Sequence, residues 1–214
     1  MAEATRPRRP GAGRWNAYRH LLAAQVRSQT QYRASFLTDL ASSVVFGLLD
    51  LAGVMVMFLV TPALGGFVPV EVLLMAGLAL TGFAVADLVV GNVERLRVYV
   101  RTGLLDAVLI RPLGVLPQLL ALDVAPRRVG RLLQALVILA AALLLAEIPW
   151  TPWRVLVAVT TPLVGAAFFG ALFVAGATVA FWWIESGELA NAVTYGGKDF
   201  TTTPVTVYSG WFRA

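Results

Sequence analysis

The chain contains no cysteine and a single histidine, His20, which removes disulfide frameworks, thiolate nucleophiles and Cys/His metal clusters from consideration. Charge is also scarce. Only 14% of the 214 residues are Asp, Glu, Lys or Arg, against about 25% in a soluble domain. What is present in their place is apolar, with 58% hydrophobic residues and a mean hydropathy of +0.76. A soluble globular fold is therefore excluded, and the chain reads as an all-α polytopic membrane protein.

Four apolar runs are long enough to cross a hydrocarbon core of about 30 Å, which needs about 20 helical residues. They cover residues 36–60, 70–90, 129–146 and 155–184. The last is too long for one untilted crossing. Thr161 followed by Pro162 fits a cap and first helical position, so the membrane part of this run is expected to begin near Pro162. No repeat at a fixed period is visible, and the two pairs of spans share no motif.

The basic residues are 16 arginines and one lysine, for a net charge of +5. Arg6, Arg8, Arg9, Arg14, Arg19, Arg27 and Arg33 precede the first span, and Arg95, Arg97, Arg101, Arg111, Arg127, Arg128 and Arg131 lie between or at the edges of spans two and three. The linkers at 61–69 and 147–153 contain no arginine, and Arg154 follows the second of them. By the positive-inside rule the N-terminus and the segment 93–128 are cytoplasmic. Trp150 and Trp153 on one side, and Trp182 and Trp183 on the other, fall where amphipathic rings favour the headgroup level. Topology accounts for the arginines, and no nucleic-acid recognition motif is present.

The first apolar run is too long for a signal peptide, is preceded by residues 1–35 and lacks a clear small-residue cleavage site. Residues 1–13, with Pro7, Pro10, Gly11 and Gly13, read as a disordered basic tail. In the segment 14–35, Trp15, Tyr18, Leu22 and Val26 recur at helical spacing beside Arg19, Arg27 and Arg33, the pattern of an amphipathic helix lying on the membrane face.

A carboxylate in hydrocarbon costs about 2.5–3.5 kcal/mol near mid-helix, so Asp39, Asp50 and Asp87 each need an account. Asp39 and Asp87 fall near helix ends and are expected at the interface, Asp39 within reach of headgroups or Arg33. Asp50 falls deep, and is a candidate either for a translocation path or for a hydrogen bond to a neighbouring helix. In the fourth run Ala167, Ala171 and Ala175 recur every four residues, the spacing of a close helix-packing or dimer face in lipid. In the cytoplasmic segment Leu104, Leu105, Val108 and Leu109 form the apolar stripe of a short helix that Pro112 helps to end. Such a helix docks either on headgroups or in a groove of a partner protein.

The run Arg101-Thr102-Gly103-Leu104-Leu105-Asp106-Ala107-Val108-Leu109-Ile110-Arg111-Pro112-Leu113 resembles the G-x-L-D-x-x-L-x-R-P-L signature of a permease family in the type-2 class of ATP-binding-cassette (ABC) transporters. Gly103, Leu105, Asp106, Leu109, Arg111, Pro112 and Leu113 match it, and Gln118-Leu119-Leu120 follows. Phe181-Trp182-Trp183, Glu188-Leu189-Ala190-Asn191, Gly196-Gly197 and Pro204 are also similar to the family pattern. The resemblance implies a permease domain over residues 14–214, in the plasma (inner) membrane of a prokaryote, that pairs with a second permease chain. It further implies export and no bound cofactor. The segment between spans two and three would contact a separate ABC ATPase, with Gly103, Leu105, Asp106, Leu109, Arg111 and Pro112 as the coupling residues. Members of that family usually have six spans, so a C-terminally truncated sequence is expected. No G-x-x-x-x-G-K-[ST] loop occurs, so nucleotide energy has to enter through a partner rather than through this chain. Two other classes remain open: an ion-driven secondary carrier using Asp50, and an intramembrane lipid-modifying enzyme, for which the scattered acids offer no metal cluster.

Overall fold

The computed structural model describes residues 33–110, 114–121, 125–183 and 187–208. The amphipathic helix expected over 14–35 lies almost wholly outside them, as do Arg111, Pro112 and Leu113. Four helices long and apolar enough to cross a membrane are present. They are α1 (Arg33–Met57), α2 (Pro69–Val90), α6 (Pro126–Leu145) and α7 (Pro152–Val179). Between α2 and α6 come a 3₁₀ turn (Gly91–Arg95) and three short helices, α3 (Leu96–Arg101), α4 (Leu104–Leu109) and α5 (Val115–Ala121). After α7 follow α8 (Gly187–Thr201) and a 3₁₀ turn (Val205–Val207). Among the described residues the only β pairing is an isolated bridge between Leu64 and Phe67.

Local chemistry sets the helix starts. Pro69, Pro126 and Pro152 stand at first-turn positions, where an absent N–H costs no bond. The Glu71 carboxylate accepts from the Val68 N–H at 3.0 Å, and Thr151 Oγ1 accepts from the Arg154 N–H at 3.4 Å.

The expected start at Thr161-Pro162 is not observed. The helix begins ten residues earlier, at the other Thr-Pro pair, and runs unbroken through Pro162. Proline leaves one carbonyl of the preceding turn without its usual donor. The carbonyl that loses its donor is Ala158 O; the two hydroxyls before the proline bond back one turn, Thr160 Oγ1 to Leu156 O and Thr161 Oγ1 to Val157 O, each at 2.8 Å. Thr161 thus braces the helix interior instead of capping an end.

The spans form a row, α1 on α6, α6 on α2 and α2 on α7. Close approach depends on missing side chains. A Cβ at Gly77 would stand 2.8 Å from Leu139 Cα on α6, and one at Gly82 would stand 2.9 Å from Pro162 O on α7. Phe83, Phe169 and Phe173 fill the α2–α7 seam, with Phe83 and Phe169 edge-to-face at 5.2 Å.

α8 then returns through the bundle antiparallel to α7. It starts beside α3, where Glu188 reaches Arg97 at 3.9 Å. Ala190 packs on Gly176, and the Tyr195 ring lies 6.2 Å from that of Phe173. Beyond it, Thr206 Oγ1 donates to Gly65 O at 2.7 Å, in the linker between α1 and α2. The chain has therefore traversed the bundle from its arginine-bearing end to the opposite end. Fifteen residues of helix give about 22 Å, and the extension to Thr206 covers the remainder. This fifth traverse is absent from a hydropathy reading because Glu188, Lys198 and Asp199 dilute it.

Candidate functional site

Asp87 is enclosed by protein rather than open to its surroundings. It is 1% exposed, near the end of α2, and binds two arginines of α6. Arg128 Nε donates to Oδ1 at 2.9 Å, and Arg131 Nη1 donates to Oδ2 at 2.8 Å. The sequence separations of 41 and 44 residues put both partners beyond any local spacing pattern. Gly91 makes room for the pair, since a Cβ there would meet Asp87 Oδ1 and stand 3.1 Å from Arg128 Nε. The Arg131 guanidinium also lies over the Tyr195 ring, 5.6 Å from its centroid, and the Tyr195 hydroxyl is 3.3 Å from Glu94 Oε2. One carboxylate thus ties α2 to α6, and Tyr195 and Glu94 extend the link to α8 and the 3₁₀ turn.

Beside this cluster lies a cleft of about 390 Å³, walled by α1, α2, α6 and α8. That volume is in the range of sites for drug-sized molecules, roughly 300–1,000 Å³. α1 contributes Asp39, Ser42, Ser43 and, further along, Leu51 and Val54. α2 contributes Ala76, Leu80 and Phe83, and α6 contributes Arg127, Arg131 and Gln134. The polar wall is α8, with Tyr195, Lys198, Asp199 and Thr202. Lys198 Nζ is 3.0 Å from Asp199 Oδ1 and 6.0 Å from the Phe83 ring centroid. A charged helix is tolerated in the interior of a membrane protein where it faces such a cavity. Asp50 lies on α1 between the cleft-lining Gly47 and Leu51, and its side chain is outside the described portion.

The short helices at the arginine-bearing end form a second feature. Gly103 takes φ +73°, a left-handed conformation that glycine adopts without a Cβ penalty, and this turns α3 into α4. The expected single stripe divides between two faces. Leu105 and Val108 are buried, Leu105 against Leu96, Tyr99 and Leu119. Leu105 thus packs in the core of this turn, whereas Leu109 of the same helix is exposed. Asn92 Nδ2 donates to Leu119 O at 2.5 Å and Gln118 Nε2 to Val108 O at 3.3 Å, fixing α5 and α4 to the base of α2. On the outer face Gly103, Leu104 and Asp106 are exposed, with Leu109 56% and Ile110 84% accessible.

Ala167, Ala171 and Ala175 are all exposed, because α7 packs inside the chain through the adjacent face carrying Gly165, Ala166, Phe169 and Phe173. Of the residues singled out in the sequence, the structure brings Asp39 to the cleft and places Gly103, Asp106 and Leu109 on one exposed surface. Arg128, Arg131, Tyr195 and Lys198 had not been singled out as site residues. The available signal was the lone lysine beside an aspartate in a segment that also holds an aromatic and a Gly-Gly pair.

A family model described as "ABC-2 family transporter protein" matches residues 44–214. No curated protein and no solved structure matches the chain. The match covers the Asp87 cluster, the exposed surface at Gly103 to Ile110 and the cleft lining other than Asp39, Ser42 and Ser43, and extends over most of the sequence. By its four apolar spans and by this match, the chain is a multi-pass membrane protein that belongs to the ABC-2 family of transporter proteins.

Proposed function

We propose that the chain is the permease subunit of an ABC exporter and takes its energy from a separate ATPase that docks on the outer face of α4. Supporting this reading is one arrangement: apolar Leu104, Leu109 and Ile110, flanked by Asp106, project from a turn fixed to the base of the cleft-lining helix α2. A short helix whose inner face is already occupied by its own core offers the other face to a groove. Closure of an ATPase dimer would push α4. Through the 3₁₀ turn and Asp87 the displacement would reach α2, α6 and α8, which wall the cleft. The cleft is the part of the translocation path contributed by this subunit. A second permease chain would complete the path, and the exposed Ala167, Ala171 and Ala175 stripe offers a seam for close helix contact.

The arginine-bearing end faces the cytoplasm of a prokaryotic cell in this reading, as the positive-inside rule requires, and the N-terminus lies on the same side. The test is reconstitution of the chain with the ABC ATPase that co-purifies with it. ATP hydrolysis stimulated by this chain is expected to fall to the level of the ATPase alone with Leu109→Asp, while the variant inserts normally. Unchanged stimulation would refute docking at α4.

A further inference from the structure

The cleft is not evenly lined, and the gradient along it carries information about its occupant. Asp39, Arg127 and Arg131 lie at one end, within two turns of the arginine-bearing ends of α1 and α6. Leu51, Val54, Ala76 and Leu80 line the other end. Pairing between helices fixes these levels. Gly130 of α6 sits against Leu40 and Ser43 of α1, Gly47 of α1 sits against Gln134, and Gly77 of α2 sits against Leu139. Asp39 is therefore level with Arg127, and Leu51 and Val54 lie beyond Gln134 with the apolar part of α2.

The charge balance at the polar end favours an anion. Arg128 and Arg131 share the carboxylate of Asp87, Glu94 joins the cluster through Tyr195, and Arg131 is the member that faces the cleft. Arg127, exposed in the cleft one turn before it on α6, adds a second positive charge. Lys198 enters from the α8 wall paired with Asp199. Three cations, Arg127, Arg131 and Lys198, thus line the cleft against two carboxylates, Asp39 and Asp199. Guanidinium groups four residues apart on one helix face present several N–H donors to the same oxyanion.

We propose that this cleft binds an amphiphile with an anionic head. The head, a carboxylate or phosphate, lies among Arg127, Arg131 and Lys198, and the apolar part lies against Leu51, Val54 and Leu80. The ligand class rests on the permease reading only in being its cargo or its lipid cofactor; the binding itself needs no ATPase.

The test uses the full chain alone in nanodiscs of phosphatidylcholine, with 11-(dansylamino)undecanoic acid as probe and its methyl ester and trimethylammonium analogue as controls. Binding is read by energy transfer from tryptophan. The carboxylate is expected to bind about tenfold or more tightly than the ester, and Arg127→Gln and Lys198→Gln are each expected to weaken it about tenfold while leaving the ester unaffected, the loss of one charge-assisted hydrogen bond. Arg127→Lys is expected to restore most of the preference, which separates head recognition from a folding defect. Leu80→Trp is expected to weaken acid and ester alike by filling the apolar end. Equal binding of acid and ester, tighter binding of the trimethylammonium probe, or indifference to Arg127→Gln would overturn the proposal. Competition identifies the source: displacement by phosphatidylglycerol in the disc marks a bilayer lipid, displacement by soluble dodecyl phosphate marks a water-borne cargo, and displacement by neither overturns it. Because no ATPase is present, a negative result leaves docking at α4 intact, and a failure of ATPase stimulation leaves the binding result intact.

Discussion

Replacing Asp87 by Asn tests the energetic centre of the fold. Asp87 is 1% exposed and holds Arg128, whose side chain is 5% exposed, and Arg131, which is 34% exposed. Neutralising it leaves a buried guanidinium without its counter-charge, and removing one partner of a buried pair costs about 3–5 kcal/mol. For a chain of this size that corresponds to a fall in Tm of roughly 6–20 °C. The two arginines are not equivalent. Arg131→Ala is expected to cost less, about 1–2 kcal/mol, because water screens it and Arg128 still pairs the carboxylate. Arg128→Ala should fall between these values, and the double variant Asp87→Leu/Arg128→Met should recover part of the Asp87 loss by removing both charges together. Thermal unfolding in nanodiscs, followed by intrinsic tryptophan fluorescence, measures all four. An Asp87→Asn variant within about 0.5 kcal/mol of the parent, or an Arg131→Ala variant worse than it, would refute the assignment of Asp87 as a buried anchor.

The remaining expectations concern packing and the short helices. Pro162→Ala should leave Tm unchanged or raised, because the helix already continues through this position and gains a donor; a marked fall would show that Pro162 is required for the bend or fit of α7. Gly82→Val places a side chain against Pro162 O and Gly165 and is expected to cost about 1–3 kcal/mol by the same thermal assay. Leu105→Asp should lower the yield of folded protein, whereas Leu109→Asp should express and unfold as the parent does, a contrast that size-exclusion profiles in detergent will show.

The four spans were legible because length and hydropathy are written directly into runs of apolar residues. The short helix after Gly103 was legible because an apolar stripe marks it locally, whereas the left-handed turn at Gly103 appears only in the structure. α8 was not. Lys198 and Asp199 line a cleft and Glu188 lies beside Arg97, whereas a hydropathy reading assumes lipid on every side. The pairing of Asp87 was not legible because its partners lie more than 40 residues away, on a helix whose contact with α2 at Gly77 follows no local pattern. Leu105 and Leu109 looked equivalent in a six-residue helix, and only the packing of α3 and α5 against one side separates them. Thr161-Pro162 and Thr151-Pro152 are the same dipeptide. What distinguishes them is that the second lies at the start of the apolar run, with a free helix end for Thr151 to cap.

In the proposed function, work reaches this membrane chain from a separate ATPase through the outer face of α4. The most direct measurement is the rate of ATP hydrolysis by that ATPase in proteoliposomes, with the parent chain, with Leu109→Asp and with no permease. The account expects stimulation by the parent and none by the variant. Stimulation by Leu109→Asp equal to that by the parent would contradict it.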